Sequence, residues 1–349
     1  MRSIIAISVL TAMSATFFTP ALAQDASSNA AIADFYRGKT VTIAAGSSAG
    51  GGLDTYGRLL GRHLGKHIPG NPAVIVQNMP GAGSLVAARH LYSVAPKDGS
   101  HMATVLPGAL LDALLSGTDR KTYDPTRFNY LGNANSETLV CVARRDAPVK
   151  HFKDVFEREF VVGATGPGST LVDAPNVTKN LLGAKINIVA GYKGSREVSL
   201  AVLKNEVQGI CGLAWSSAKQ QYQDLFSPNG EVFVLLQEDS RSHPELAGKA
   251  PLAIEFAKTP QQRAVLDIFY SQAIFTRPFL LPPDVPKERV AALRKAFMDT
   301  MKSPELQADA RKQQTEAVAS TGEDVAALIG KIYASAPEIV EQLKKASGK

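Results

Sequence analysis

Residues 40–76, TVTIAAGSSAGGGLDTYGRLLGRHLGKHIPGNPAVIV, decide the fold class. Thr40-Val-Thr-Ile-Ala44 is a short β-branched run, Leu53 to His67 carries apolar residues at helical spacing, and Ala73-Val-Ile-Val76 is again β-branched. A strand, a glycine turn, a helix and a second strand make a crossover unit, so the two strands run parallel with the helix packed on one face. The rhythm continues through a helix at Ser84 to Val94 and a strand at His101-Met-Ala-Thr-Val105. It resumes after a strand at Leu139 to Ala143, with strands near Phe160-Val-Val-Gly163, Ile186-Asn-Ile-Val189 and Val207 to Cys211 separated by helices at Thr170 to Leu182 and Arg196 to Lys204. The expectation is an α/β fold of two three-layer lobes.

Toward the C-terminus the reading is a strand around Gln272 to Phe275, a Pro-rich link Arg277 to Pro286, and helices at Lys287 to Met301, Pro304 to Gln314 and Gly322 to Lys345. No short-period repeat appears.

The N-terminus has Arg2, an apolar stretch Ile4 to Phe18, and Pro20-Ala21-Leu22-Ala23 before polarity rises. That is the pattern of a secretory signal peptide cut after Ala23 or Gln24. Cleavage after residue 23 leaves 326 of 349 residues and, with the loss of Arg2, takes the net charge from +6 to +5. The Ala/Ser-rich piece that follows, 24–35, reads as a flexible leader. Neither cysteine, Cys141 or Cys211, stands where a lipid anchor would need one, and no later run is long and apolar enough to span a bilayer. In an oxidising compartment the two cysteines can pair or remain small buried thiols, and the sequence leaves both open.

Chemistry in this chain concentrates in glycine turns placed between a strand and a helix start. They are Ala44-Ala-Gly-Ser-Ser-Ala-Gly-Gly-Gly-Leu-Asp54, Asn78-Met-Pro-Gly-Ala-Gly-Ser84, Gly163-Ala-Thr-Gly-Pro-Gly-Ser-Thr170 and Gly191-Tyr-Lys-Gly-Ser-Arg196. Turns of this kind serve chain reversal alone in many α/β proteins. Four of them in two lobes, at strand C-termini where α/β ligands bind, point instead to a cradle of backbone N–H groups for an anion.

Other chemistries fit less well. Gly46-Ser-Ser-Ala-Gly50 matches the G-x-S-x-G elbow of a secreted serine hydrolase with Ser48 as nucleophile, and His151 and His243 are the downstream bases available to it. Only one strand precedes Ser48 in the mature chain, however, and a hydrolase sheet needs several there. His63 and His67 stand four apart, but Leu64 replaces the Glu of H-E-x-x-H and no third zinc ligand follows, so both read as surface residues. Gly38-Lys39-Thr40 lacks the leading glycine of a phosphate loop. Arg144-Arg145 reads as solvated charge at a strand end, and the dispersed basic residues do not form a nucleic-acid surface. No cofactor or metal is expected.

Taken in order, Tyr36-Arg-Gly-Lys-Thr-Val-Thr-Ile43, Gly50-Gly-Gly-Leu-Asp54 with Arg58, Asn78-Met-Pro-Gly-Ala-Gly83, Ala95-Pro-Lys-Asp-Gly99, Gly163 to Thr170, Tyr192-Lys-Gly-Ser195 and Pro282-Pro-Asp-Val-Pro286 resemble the extracytoplasmic receptors of tripartite tricarboxylate transporters, the Bug receptors. The resemblance runs over about residues 35 to 345. It implies a type II periplasmic-binding fold with a hinge and a ligand cleft, lobe 1 being 36–136 plus 277–349 and lobe 2 being 137–276. It also implies a monomeric periplasmic receptor that passes a small carboxylate to transporter membrane subunits. Carried over by position, the ligand contacts are Ser47, Ser48, Gly51, Gly52, Gly81, Thr165, Gly166, Gly168, Ser169, Tyr192, Lys193 and Gly194. Asp54 reads as a residue that bonds its own helix start. Trp215, the single tryptophan, is a candidate for stacking on a ligand ring or for ordinary packing. The chain departs from the family at Gly46-Ser-Ser-Ala49, at Gln208 and through Gly209 to Ser217, all taken to lie in or near the pocket.

If main-chain donors hold the carboxylate, Lys193→Ala weakens binding by less than about tenfold, because a solvated charge contributes roughly 0–1 kcal/mol. Gly168→Val weakens it more, by blocking close approach. Isothermal titration of both variants checks this; the reverse ranking excludes a main-chain cradle.

Overall fold

The structure is a computed structural model that describes residues 21–47, 49–117, 119–166, 169–192, 194–313 and 315–348. The signal-peptide reading of 1–23 falls almost wholly outside these residues.

The first half alternates as its sequence pattern demands: α1 (Ala21–Tyr36), β1 (Thr40–Ala45), α2 (Gly52–Leu64), β2 (Ala73–Asn78), α3 (Leu85–Ser93), β3 (His101–Thr104), α4 (Pro107–Leu115) and β4 (Asn129–Asn133). Then come β5 (Leu139–Arg144), β6 (Phe160–Gly163), α5 (Thr170–Leu182), β7 (Ile186–Val189), α6 (Ser195–Leu203), β8 (Gly209–Ala214), α7 (Trp215–Tyr222), β9 (Val232–Glu238) and α8 (Pro260–Ser271). The chain returns through β10 (Pro278–Leu281) and ends with α9 (Lys287–Lys302), α10 (Pro304–Lys312), β11 (Ser320–Thr321), α11 (Gly322–Tyr333) and α12 (Pro337–Ser347).

Two sheets result, with orders β11-β4-β10-β3-β1-β2 and β7-β6-β8-β5-β9. In the first, β1 is parallel to β2 and β3, while β10 runs antiparallel to β3 and β4. In the second, β6 is parallel to β7 and β8, and β5 runs antiparallel between β8 and β9. These directions bring the C-terminal ends of β1 to β4 to one edge of sheet one, and those of β6 to β9 to one edge of sheet two. Both chain crossings between the lobes, 134–138 and 272–277, leave from those same edges, so the edges flank the hinge. The crossings are bonded to each other: Ala134 N donates to Arg277 O at 2.9 Å, Glu137 N to Ala273 O at 2.9 Å, and Arg277 N to Asn133 Oδ1 at 2.8 Å.

Burial follows position in the sheets. Edge strand β2 alternates exposed and half-buried residues, whereas central β5 is buried along nearly its whole length, as expected of a strand covered on both faces. One apolar cluster fills the space behind α2 and α9, another lies under α6 and α7, and a third runs without a break from Leu91 and Leu110 of the first lobe to Leu266 and Phe275 of the second.

Four readings change. The stretch 24–35 is not a flexible leader: it belongs to α1, whose Ile32 and Tyr36 are buried and whose Tyr36 hydroxyl donates to Gly99 O. Gln272–Phe275 is a 3-10 turn, and the strand falls later, at Pro278–Leu281, because Arg277 N is already bound at the crossing. The single helix from Gly322 to Lys345 is two, broken before Pro337, which starts a new first turn. The second of these, α12, packs on α5 and α8, with Asn180 Nδ2 donating to Ala346 O, so the end of the chain belongs with the second lobe and not with residues 277–336.

Cys141 and Cys211 form a disulfide across neighbouring strands β5 and β8. Next to it, Gly212 has φ +73°, and an added Cβ would lie 2.1 Å from Thr170 O. Gly330, inside α11, has nothing within 4 Å of the same position. Gly212→Ala should therefore cost about 3 kcal/mol or more through left-handed strain and overpacking, while Gly330→Ala should stabilise by up to about 1 kcal/mol. Urea unfolding of the two variants reads the opposite signs.

Candidate functional site

The first lobe's turns are held by side chains of their own motifs. Asp54, buried at the start of α2, accepts from Gly50 N at 2.8 Å and Asn78 Nδ2 at 2.9 Å, and pairs with Arg58 at 2.9 Å. Burial pushes its carboxyl up, but the bonds from Arg58, Gly50 and Asn78 outweigh this and hold it below the usual range. Ser47 Oγ accepts from Asp54 N, and Ser47 O accepts from Asn78 Nδ2. Ser84, buried and left-handed at φ 74°, donates to Gly46 O at 2.7 Å and accepts from Leu106 N at 3.1 Å. It thereby clips the turns after β1, β2 and β3 together, a role its place at the end of Asn78 to Ser84 did not reveal.

In the second lobe, Thr165 Oγ1 donates to Ser169 Oγ at 2.6 Å, and Ser169 caps α5 by accepting from Leu171 N. Gly191 N and Tyr192 N donate to Thr165 O and Ala164 O, which ties the turn after β7 to the turn after β6. Gly166 and Gly194 face open space. Thus Ser47, Gly51, Gly52 and Gly81 lie on the hinge-side edge of one sheet, and Thr165, Gly166, Ser169, Tyr192 and Gly194 on the hinge-side edge of the other. Ser48, Gly168 and Lys193 lie outside the described residues.

Between the lobes is a cavity of about 280 Å³ lined by both crossings (Ser136, Glu137, Thr138, Ala273, Ile274), by Trp215 and Ser216 after β8, by Asp239 to Pro244 after β9 except Ser240, and by Glu316 of the first lobe. Among the sequence-derived contacts that fall in the described residues, only Trp215 lines it. A larger hollow of about 750 Å³, also touching Trp215, is lined by second-lobe residues alone and extends to Arg145 at the far edge of the sheet. Of these two hollows the smaller is the one lined by both lobes.

Its walls are polar and carry acids. Burial pushes Glu137 up, against a bond from Ser216 and the charge of Arg277; burial likewise pushes Asp239 up, against bonds from Arg241 N and Thr138. Lys219 of α7 lies 3.1 Å from Glu245 and 3.6 Å from Glu316, the latter contact crossing between the lobes. Trp215 is packed rather than presented: its Nε1 donates to Glu245 at 2.7 Å and its ring meets Phe226 edge-on.

Several readings of single residues move. Gln208 stands at the opposite end of β8 from the cleft, with its Oε1 accepting from Val161 N, so it is no part of the pocket. Arg144 is not solvated: it pairs with Asp146 and donates to Val202 O and Leu203 O, closing the C-terminus of α6. His63 bonds Asp309 Oδ2 at 3.0 Å and is largely covered. His151 sits before β6, on the edge away from Ser47, and His243 Nδ1 accepts from Glu245 N. Arg277, at the second crossing, was missed: it precedes a Pro-rich link and carries no motif.

The comparisons agree with this geometry. No protein-family profile matches the chain. A protein of Cupriavidus necator, "UPF0065 protein in gbd 5'region", is 30% identical over 215 residues, which is 58% of this chain and 62% of that relative. The match thus spans about three fifths of the relative's length. In fold the chain resembles a TctC solute-binding protein from Polaromonas (TM-score 0.68, 20% identity, 88% of this chain and 100% of the other). It also resembles the periplasmic binding protein BugD (0.61, 19%, 89% and 98%) and MatC from Rhodopseudomonas palustris with bound malate (0.59, 18%, 86% and 99%). The two-lobed periplasmic-binding fold is therefore shared with TctC and Bug solute-binding proteins.

Glu238, one residue before the cavity wall, is fully buried; its Oε2 accepts from Gly212 N, its Oε1 has no partner, and burial pushes its carboxyl up to about 7. Below the ordinary carboxyl value of 4.5 both folded and unfolded states are protonated. As pH rises to about 7 the unfolded state ionises first, so stability falls across that window by about 3 kcal/mol and is level above it. Glu238→Gln should remove this slope: similar to wild type at pH 4.5, more stable at pH 8. An unchanged melting difference at the two pH values would contradict it.

Proposed function

We propose that this chain is a solute receptor of the TctC and Bug type, acting in the periplasm. It closes its lobes around a small carboxylate-bearing solute and delivers it to the membrane subunits of a tripartite tricarboxylate-type transporter. The observation that carries the reading is that the glycine turns of each lobe lie on the sheet edge from which the chain crossings leave, so both sets flank the hinge. Backbone N–H groups at helix starts are suited to a carboxylate and need no titratable partner. The malate bound by MatC is a solute of this chemical kind.

Contacts from both lobes make the closed form the tighter binder, so a solute shifts the lobes toward closure by the difference in affinity. Delivery without chemistry accords with turns whose described hydroxyls are committed to backbone: Ser47, Ser84 and Ser169 all bond main chain.

A carboxylate that fits should raise the melting temperature with concentration, the added stability being about 2.7 kcal/mol at one hundred times Kd. It should also change the emission of Trp215, the only tryptophan. Screening mono-, di- and tricarboxylates by both readouts tests the proposal, and no response to any of them overturns it.

A further inference from the structure

Arg277 projects from the second crossing onto the first glycine turn. Its Nη2 lies 2.9 Å from the position that a Cβ on Gly52 would occupy. Gly52 is the first residue of α2, so its lack of a side chain is what lets a guanidinium rest at the head of that helix. Nη1 donates only to the adjacent Thr276 O at 2.8 Å, and Nε is buried without a partner. The guanidinium stacks over Tyr56 at 5.3 Å, a contact that orients it without neutralising it.

The nearby acids do not pair with it. Glu137 Oε1 already accepts from Asn135 and Ser216, and burial works against its ionisation. Glu316 is the acid facing Lys219. Among the described residues no carboxylate stands within ion-pair distance of Arg277. The result is a fixed cation beside the positive end of a helix, two like charges that repel unless an anion lies between them.

Resting on the receptor reading above, we infer that Arg277 is the charge-pairing residue of the cleft: it takes one carboxylate of the solute directly, together with the N–H groups at the start of α2. A guanidinium fork matches a carboxylate in two parallel bonds, which an ammonium or an amide cannot reproduce. Position adds a consequence. Arg277 O is bonded to Ala134 N of the other crossing and Arg277 N to Asn133 at the end of β4, so a solute held by this side chain is held at the hinge itself. The site therefore selects solutes with a full carboxylate at that end over the corresponding amides.

The test is a cycle of two proteins and two probes: wild type and Arg277→Gln, titrated with succinate and adipate and with their diamides, succinamide and adipamide, which carry no carboxylate. The expected result is that Arg277→Gln weakens whichever diacid binds by tenfold or more, roughly the worth of a charge-assisted pair, and changes the diamide by less than about threefold. Arg277→Lys should lie between, since it keeps charge but not the fork. Gly52→Ala, which crowds Nη2 while leaving the hinge bonds alone, should weaken the diacid by several-fold and spare the diamide, and it covers the case in which Arg277→Gln fails to fold. Equal loss for acid and amide, or no loss for either, overturns the role of Arg277 while leaving the receptor reading intact. A wild type that binds none of the carboxylates screened removes both.

Discussion

The buried carboxylate of Asp54 is the interaction on which the first lobe's glycine-turn edge depends. It accepts from the turn after β1 through Gly50 N, from the end of β2 through Asn78 Nδ2, and from Arg58 one helical turn along. A glycine-rich turn loses more backbone freedom on ordering than any other sequence would. Leaving such a turn unsupported would spend binding free energy on ordering it each time a solute arrived. Asp54, Asn78 and Ser84 order it in advance, each by bonds to main chain, so the N–H groups of the turn are held before anything binds. The acid is ionised because three donors face it, not because it is exposed.

The second lobe reaches the same end differently. Its turns after β6 and β7 are bonded to each other through Thr165 O and Ala164 O, and Ser169 caps the helix that follows. Beneath them the Cys141–Cys211 disulfide joins β5 to β8, and Gly212 lets the start of α5 pass close over β8. Rigidity here lies in the platform, whereas the lobes are joined by two bonded crossings and by α12, which reaches over to pack on α5 and α8. One apolar cluster is shared by both lobes, so their packing is continuous across the chain crossings.

Most of the architecture was legible because hydrophobic period and turn chemistry agree over residues 40–105 and 139–211. The misses have identifiable causes. The stretch 24–35 is rich in Ala and Ser and looks unstructured by composition, but Ile32 and Tyr36 find a core supplied by α9, some 260 residues away in the chain. Gln272–Phe275 reads as a strand from local pattern, yet the hydrogen bonds that make the strand come only after the crossing. At the site, the turn glycines announce themselves, while Ser84 and Arg277 act through distant partners, Leu106 N and Gly52, that no local pattern contains. Gln208 shows the converse error: proximity in sequence to an unusual segment placed it in a pocket from which the length of β8 separates it.

Charge across the cleft constrains what can be held there and how it is turned. The turn edges and Arg277 present partial and full positive charge, whereas Glu137, Asp239 and Glu316 line the interlobe cavity. Burial works against the ionisation of Glu137 and Asp239, and Glu316 faces Lys219, so under the proposed reading an anion is drawn to the turns and Arg277 by their positive charge more than it is repelled by the wall. The hydroxyls on the cavity wall, Ser136, Thr138, Ser216 and Ser242, all donate to protein acceptors, so toward the cavity they offer lone pairs and not protons. Under that reading orientation follows from where the positive ends of the turns stand, which is how a site with few side chains aimed at its ligand can discriminate.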